Sequence, residues 1–324
     1  MPIRRRIEAR GCCRQSVTGF TEVTSDSPKS LISIEPLRSH SRPRLPAWFR
    51  VEARTGSDYL DIKQTVDRLK LHTICEEGRC PNRWECWNAR TATFLILGDV
   101  CTRRCHYCSV STGRPGAVDQ DEPRRIAEAV KALRLRHAVI TSVNRDELAD
   151  GGAAIFAETI RHTRRVNPDC TIEVLIPDLE GNATALDVIF EAQPDVLNHN
   201  IETVPRLFPI LRPQGKYHRS LEVLARAKRA GLTTKSGLII GMGETPDEVR
   251  LVLHALRCAG CDIVTIGQYL QPTTQHLPVA HFYEPASFTA FKTEALAMGF
   301  VHVESGPLVR SSYHADQHAS AKPT

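Results

Sequence analysis

Residues 93–108 read TFLILGDVCTRRCHYC: an apolar run, a Gly-Asp break, then three cysteines within eight residues. The run has the length and character of a buried strand, and the break puts the cysteines in the loop that follows it. Outward from this stretch, short β-rich runs at 93–97, 138–142, 171–176, 195–198, 235–240 and 263–267 alternate with amphipathic stretches. Those stretches, at 122–135, 153–166, 184–191, 218–230, 247–259 and 285–298, carry helical periodicity. Six strands each followed by a helix predict a parallel sheet, because parallel neighbours need a crossover. The expected fold is α/β, a partial (β/α)6 barrel, two units short of the closed eight-unit barrel. In such barrels the chemistry lies at the carboxyl ends of the strands, so 101–108, 142–145, 198–202, 241–244 and 268–271 are expected on one rim.

The chain divides into an expected flexible basic leader at 1–45, an N-terminal lobe at 46–90, the barrel at 91–300 and a C-terminal segment at 301–324. Its net charge is +5, but residues 1–50 hold ten Lys/Arg against four Asp/Glu, leaving 32 against 33 in the rest. The basicity belongs to the leader, which argues against a nucleic-acid face. No apolar run approaches the roughly 18 residues of a membrane span. The start, MPIRRRIEARGCCRQ, lacks a secretory h-region, so the expected location is the bacterial cytoplasm.

Eleven cysteines are too many to be incidental and too sparse for a disulfide scaffold, and six of them fall between Cys75 and Cys108 in two groups of three. In the second group Cys101, Cys105 and Cys108 have C-x3-C-x2-C spacing, close enough to wrap one metal centre. A cubane held by three thiolates keeps one iron open for a ligand, as catalytic zinc keeps an open position. The alternative is a zinc site completed by His106 or a distant residue. In the first group Cys75, Cys80 and Cys86 have C-x4-C-x5-C spacing, broken by Gly78 and Pro81 and flanked by Glu76, Glu77 and Arg79. That polar setting favours a second cluster over buried structural cysteines.

The C-x3-C-x2-C spacing resembles the radical S-adenosylmethionine superfamily. CEEGRCPNRWECW, CTRRCHYC and the C-terminal RSSYHA together resemble the lipoyl synthase family, with DELADGGA, NHNIET, KSGLIIGMGE, GQYLQP and ALAMGF extending the likeness from about residue 46 to residue 316. The resemblance implies two 4Fe-4S clusters and S-adenosyl-L-methionine as cofactors. Cys101, Cys105 and Cys108 would hold the radical-generating cluster. Cys75, Cys80 and Cys86 would hold an auxiliary cluster that donates sulfur, with Ser312, or alternatively Ser311, as its oxygen ligand. The implied reaction inserts two sulfurs at C6 and C8 of an octanoyl-lysine on lipoyl carrier domains, the E2 subunits of 2-oxoacid dehydrogenases or the glycine cleavage H protein. An electron donor such as flavodoxin or ferredoxin is implied too.

Further cofactor contacts are expected on the rim. Gly151 and Gly152 open the helix after the second strand, with a plain helix start capped by Asp150 as the alternative. Asn198, Asn200 and Glu202 end the fourth strand, with His199 between them read as a hydrogen-bonded structural histidine. Lys235 and Gln268 lie on later strands. Cys258 and Cys261 resemble a redox dithiol but are read as buried packing, Cys12 and Cys13 as incidental, and Arg161 to Arg165 as a solvated helix end. The competing functions are another radical sulfurtransferase with an auxiliary cluster, a two-cluster electron carrier, and a zinc-stabilised binding module.

Overall fold

The computed structural model describes residues 44–51 and 55–316. The leader and Cys12 and Cys13 lie outside the described residues, apart from the last two positions of the leader. The sheet and helices all belong to the unit Leu45–Thr324. After a 3-10 turn at Ala47–Phe49 come helix α1 (Ser57–Arg68), strand β1 (His72–Thr73) and two short helices, α2 (Ile74–Glu77) and α3 (Arg83–Asn88). Strand β2 (Thr93–Ile96) and a small pair, β3 (Val100–Cys101) with β4 (Ser111–Thr112), lead into α4 (Glu122–Ala132). Then follow β5 (His137–Ser142), α5 (Ala153–Val166), β6 (Thr171–Leu175), α6 (Ala183–Glu191) and β7 (Val196–Asn198). The chain continues through α7 (Phe208–Leu211), α8 (Tyr217–Arg229), β8 (Thr233–Ile240), α9 (Pro246–Cys258), β9 (Ile263–Gln268), α10 (Pro285–Ala297) and β10 (His302–Gly306).

The main sheet has the order β1-β2-β5-β6-β7-β8-β9-β10, parallel throughout except for the antiparallel β1. β1 and β10 are its two edges, so the barrel is open, as expected, although edge strands β1 and β10 bring the sheet to eight strands where six were predicted. β2 and β9 are buried along their whole length, the mark of strands covered on both faces. The helices cover the outer face through apolar stripes. In α9, Val249, Val252, Leu253 and Leu256 are buried at helical spacing, behind a start fixed by Pro246 and a capping box between Thr245 and Glu248. No helix among the described residues is long and apolar enough to cross a membrane.

Two sets of residues expected to contact a cofactor also have local structural partners. Gly152 is the N-cap of α5 at φ +91°, and Asp150 accepts hydrogen bonds from the N–H groups of Gly152 and Ala154, both at 2.9 Å. A Cβ at Gly152 would lie 2.3 Å from Leu97 Cδ1, and one at Gly151 2.9 Å from Leu179 Cδ2. The glycine pair has the geometry of a helix start capped by Asp150.

Lys235 and Asn198 face into the barrel but below the rim. Lys235 Nζ donates to both carboxylate oxygens of Glu173 at 2.9 Å, and Asn198 Nδ2 donates to Glu173 Oε1 at 3.0 Å. All three residues are fully buried. The adjacent Lys235 and paired His137 hold the Glu173 carboxyl down to about 2 against the upward push of burial. This buried network engages the Lys235 ammonium and the Asn198 Nδ2 amide.

Candidate active site between two cysteine triads

Cys101 ends β3, and Cys105 and Cys108 follow in the loop after it. The loop is fastened on all sides. His106 N–H donates to Leu211 O at 3.0 Å, and His276 Nε2 lies 2.9 Å from Cys108 O. Ser109 Oγ donates to Glu77 O at 2.6 Å, tying this loop to the first triad. The Cys101 sulfur accepts N–H donors from Asn144 at 3.3 Å and Arg103 at 3.4 Å. Burial pushes the Cys108 thiol up to about 12, with Cys105 and Cys101 adding to it. Burial also raises Cys105, against the pull of the nearby Arg212 guanidinium.

The first triad sits in a second pocket of chain. Thr73 caps α2, which carries Cys75; Cys80 follows the turn, and Cys86 lies on α3. Burial pushes the Cys75 thiol up to about 12, with Cys80 adding to it, and raises Cys86, with Cys80 and Cys75 both adding. Cys80 is raised by burial and pulled down by Arg310. Cys80 thus adds to the burial penalty at Cys75, Cys80 and Cys75 to that at Cys86, and Cys105 and Cys101 to that at Cys108, charges that a cationic metal centre would relieve.

The C-terminal segment closes over this region. Asn82 Nδ2 donates to Leu308 O at 2.6 Å, and the Tyr313 hydroxyl donates to Glu85 Oε1 at 3.0 Å. Gly267 on β9 admits the segment, since a Cβ there would lie 2.0 Å from Val309 O.

A cavity of about 430 Å³ opens against the second triad and the loop that carries the first, whose own cysteines are not in its wall. Cys101, Cys105 and Cys108 line it, with Gly78, Arg79 and Pro81 of the first triad's loop, and Arg310 and Ser311 of the C-terminal segment. Asn200, Glu202 and Gln268 also lie in its wall, whereas Gly151, Gly152, Asn198, Lys235 and Ser312 do not. The Gln268 amide is committed to backbone: Nε2 donates to His281 O at 2.9 Å and Oε1 accepts from Tyr283 N–H at 3.0 Å. His199 is the structural histidine expected, with Nδ1 2.9 Å from Ile176 O and Nε2 2.9 Å from Ser220 Oγ. A carbonyl only accepts, so Nδ1 carries the proton and Ser220 donates to Nε2.

Arg103, Tyr107, Asn144, Arg212 and Arg310 line the cavity too and were not singled out from the sequence. Arg103, Tyr107 and Arg310 lie inside the quoted motifs, so their position was the available signal. Arg212 follows the short helix α7 and gave none. In the wall, Ser142 Oγ, Asn144 Oδ1, Asn200 Oδ1 and Glu202 Oε2 are buried without a hydrogen-bond partner. Such groups cost about 1–3 kcal/mol each, so this wall fits a polar ligand carrying donors. The pair Cys258 and Cys261 is split: Cys261 is buried as expected, and Cys258 is exposed.

Comparison with known proteins bears on this arrangement. A profile of the Radical SAM superfamily matches residues 95–256, and one of the N-terminal domain of lipoyl synthase of that family matches residues 23–80. The lipoyl synthase of Rubrobacter xylanophilus is 58% identical over 274 residues, covering 84% of this chain and 85% of the relative. That of Chloroflexus aurantiacus is 54% identical over 283 residues, covering 87% and 92%. Streptococcus suis SuiB bound to S-adenosylmethionine has a similar fold, with a TM-score of 0.51 at 9% identity over 62% of this chain and 46% of that one. Methylornithine synthase gives 0.50 at 15% over 65% and 70%. The likeness to the curated relatives runs through nearly all of both chains, and the chain therefore belongs to the lipoyl synthase family, radical S-adenosylmethionine sulfurtransferases that use 4Fe-4S clusters.

Proposed function

We propose that Cys101, Cys105 and Cys108 hold the cluster on which S-adenosylmethionine binds. Cys75, Cys80 and Cys86, with Ser312 as oxygen ligand and Ser311 as the alternative, hold the auxiliary cluster that gives up sulfur. The supporting observation is the shared cavity, bounded by the second triad on one side and by Gly78, Arg79, Pro81 and Ser311 on the other. An octanoyl chain between the two sites would have one neighbour for hydrogen removal and another for sulfur.

The C6 and C8 hydrogens of an octanoyl chain are beyond the reach of any protein acid or base. A cluster with an open iron and S-adenosylmethionine supplies the hydrogen-atom abstraction they require. The chain's own residues bind and exclude. Leu95, Val143, Leu175, Ile176 and Ile239 form the apolar part of the wall, suited to an alkyl chain and to keeping water out. Asn200, Glu202 and Arg212 form the polar part and orient the cofactor. Arg212 is anchored by donating from Nη1 to Asn200 O at 3.0 Å.

The proposed substrate is an octanoyl-lysine on a lipoyl carrier domain, of an E2 subunit or of the H protein, with flavodoxin or ferredoxin as electron source. A cytoplasmic location accords with the cysteines of the described residues, which are all free. Anaerobic reconstitution tests the reading. Loading should reach about eight irons per chain. An octanoyl-lysyl peptide should become lipoyl-lysine with about two 5′-deoxyadenosines released per product. Uptake of about four irons, or of zinc, overturns it.

A further inference from the structure

Two arginines stand side by side between the first two cysteines of the second triad, and they behave oppositely. Arg104 is exposed. Arg103 is 4% exposed and turns inward to two carboxylates on different loops. Its Nε and Nη2 donate to Asp146 Oδ2 and Oδ1 at 2.7 and 2.8 Å, a bidentate pair, and its Nη1 lies 2.7 Å from Asp178 Oδ1. Asp146 belongs to the loop after β5 and Asp178 to the loop after β6. Asp178 is held in turn: Arg219 of α8 donates to Oδ2 at 3.2 Å, and Glu180 N–H donates to Oδ1 at 3.1 Å. Thr102 joins the same array, its hydroxyl 3.0 Å from Asn144 O and 3.1 Å from Asp146 Oδ2.

The planar guanidinium thus ties the cysteine loop to two neighbouring strand ends at once, by two hydrogen bonds to Asp146 and an ion pair to Asp178, with its charge balanced by the surrounding groups. Asn144, which donates to Cys101 Sγ, is two residues from Asp146, and Ile176 and Pro177 of the cavity wall immediately precede Asp178. The grip therefore fixes the distance between the cluster-bearing loop and the wall across the cavity.

We propose that Arg103, gripped by Asp146 and Asp178, is a positioning residue that sets the Cys101–Cys108 loop at the spacing cofactor binding requires. The inference rests on the assignment of that loop to the cofactor-binding cluster. Lysine keeps the charge but offers a single ammonium, which cannot bond Asp146 bidentately and reach Asp178 together.

The test uses the reconstituted full chain and Arg103→Lys, with Asp146→Asn as a milder second variant. Both should load both clusters and melt near the wild-type temperature. Arg103→Lys should raise the Kd for S-adenosylmethionine about tenfold, and Asp146→Asn should raise it less. The electron paramagnetic resonance change that the cofactor induces in the reduced second cluster should be altered, and the auxiliary signal should not. Wild-type affinity and spectra in both variants overturn the proposal. So does a loss of binding that follows equal loss of both clusters or a collapse in melting temperature, because that marks a role in folding alone. If the wild type itself binds no cofactor at a Cys105-dependent cluster, the site assignment fails and the proposal with it. If the wild type binds and the variants bind equally, the proposal alone fails.

Discussion

The two triads are built by opposite strategies. The second runs from the end of β3 into the loop after it and is gripped by its neighbours: Asp146 and Asp178 through Arg103, Leu211 through His106, and His276 through Cys108. The first follows edge strand β1, and what closes over it, residues 308–313, follows the opposite edge strand β10. The first triad, proposed for the auxiliary cluster, therefore lies at the barrel's open seam, while the second, proposed for cofactor binding, is embedded in its rim. An embedded site suits a cluster that must survive every turnover. A seam between two edge strands suits one that is taken apart, the role proposed for the auxiliary cluster.

The sharpest way to break this contrast is to remove one ligand from each side. Cys105→Ala should abolish cleavage of S-adenosylmethionine, whereas Cys80→Ala should keep cleavage and abolish sulfur insertion, as read by 5′-deoxyadenosine and lipoyl-lysine separately. Equal loss of cleavage in two folded variants would erase the division of labour. Next in size is Gly267→Ala, which drives a methyl into Val309 O. It should cost up to about 3 kcal/mol in urea unfolding and deplete the auxiliary cluster, with the second cluster still binding cofactor.

Acid sharpens the contrast from the embedded side. Burial, aided by Arg212, lowers the His199 pKa from 6.5 to about 4, so the folded chain keeps it neutral. The unfolded chain takes up that proton first, so the stability His199 supports is whole above pH 6.5 and is lost as the pH falls toward 4. Urea unfolding should show roughly 2 kcal/mol less of this contribution at pH 5 than at pH 7.5. His199→Gln should flatten the dependence. The smallest effect is expected at the seam's surface. Tyr313→Phe deletes the bond to Glu85 and should cost about 0.5 kcal/mol, with a chelator drawing auxiliary iron faster and leaving the second cluster untouched.

Much of this was legible in the residues. All six strand runs appear within two residues of their expected ends, because alternation of β-rich and helical periods survives in a covered parallel sheet. β10 was not, since HVESG carries one buried residue, Val303, and too little apolar text to register. Lys235 and Asn198 show a different limit. A period of two tells which side chains face inward but not how deep along the barrel they stand. Ile239, on the same face of β8, reaches the cavity wall; Lys235 is four residues earlier, roughly 13 Å down the strand, where Glu173 meets it. Arg212 escaped notice because its place comes from the tertiary path of α7.

The contact between Asn82 and Leu308 joins residues 226 positions apart. On a growing polypeptide, the second triad with Asp146, Asp178 and Arg219 is available roughly ninety residues before Leu308 is made, and its last anchor, His276, roughly thirty before. The grip on the second triad can therefore begin to form while translation is still under way, whereas the contacts that close over the first triad wait for residues 308–313, and a truncation before them also removes Arg310 and Ser311 from the cavity that the second triad lines.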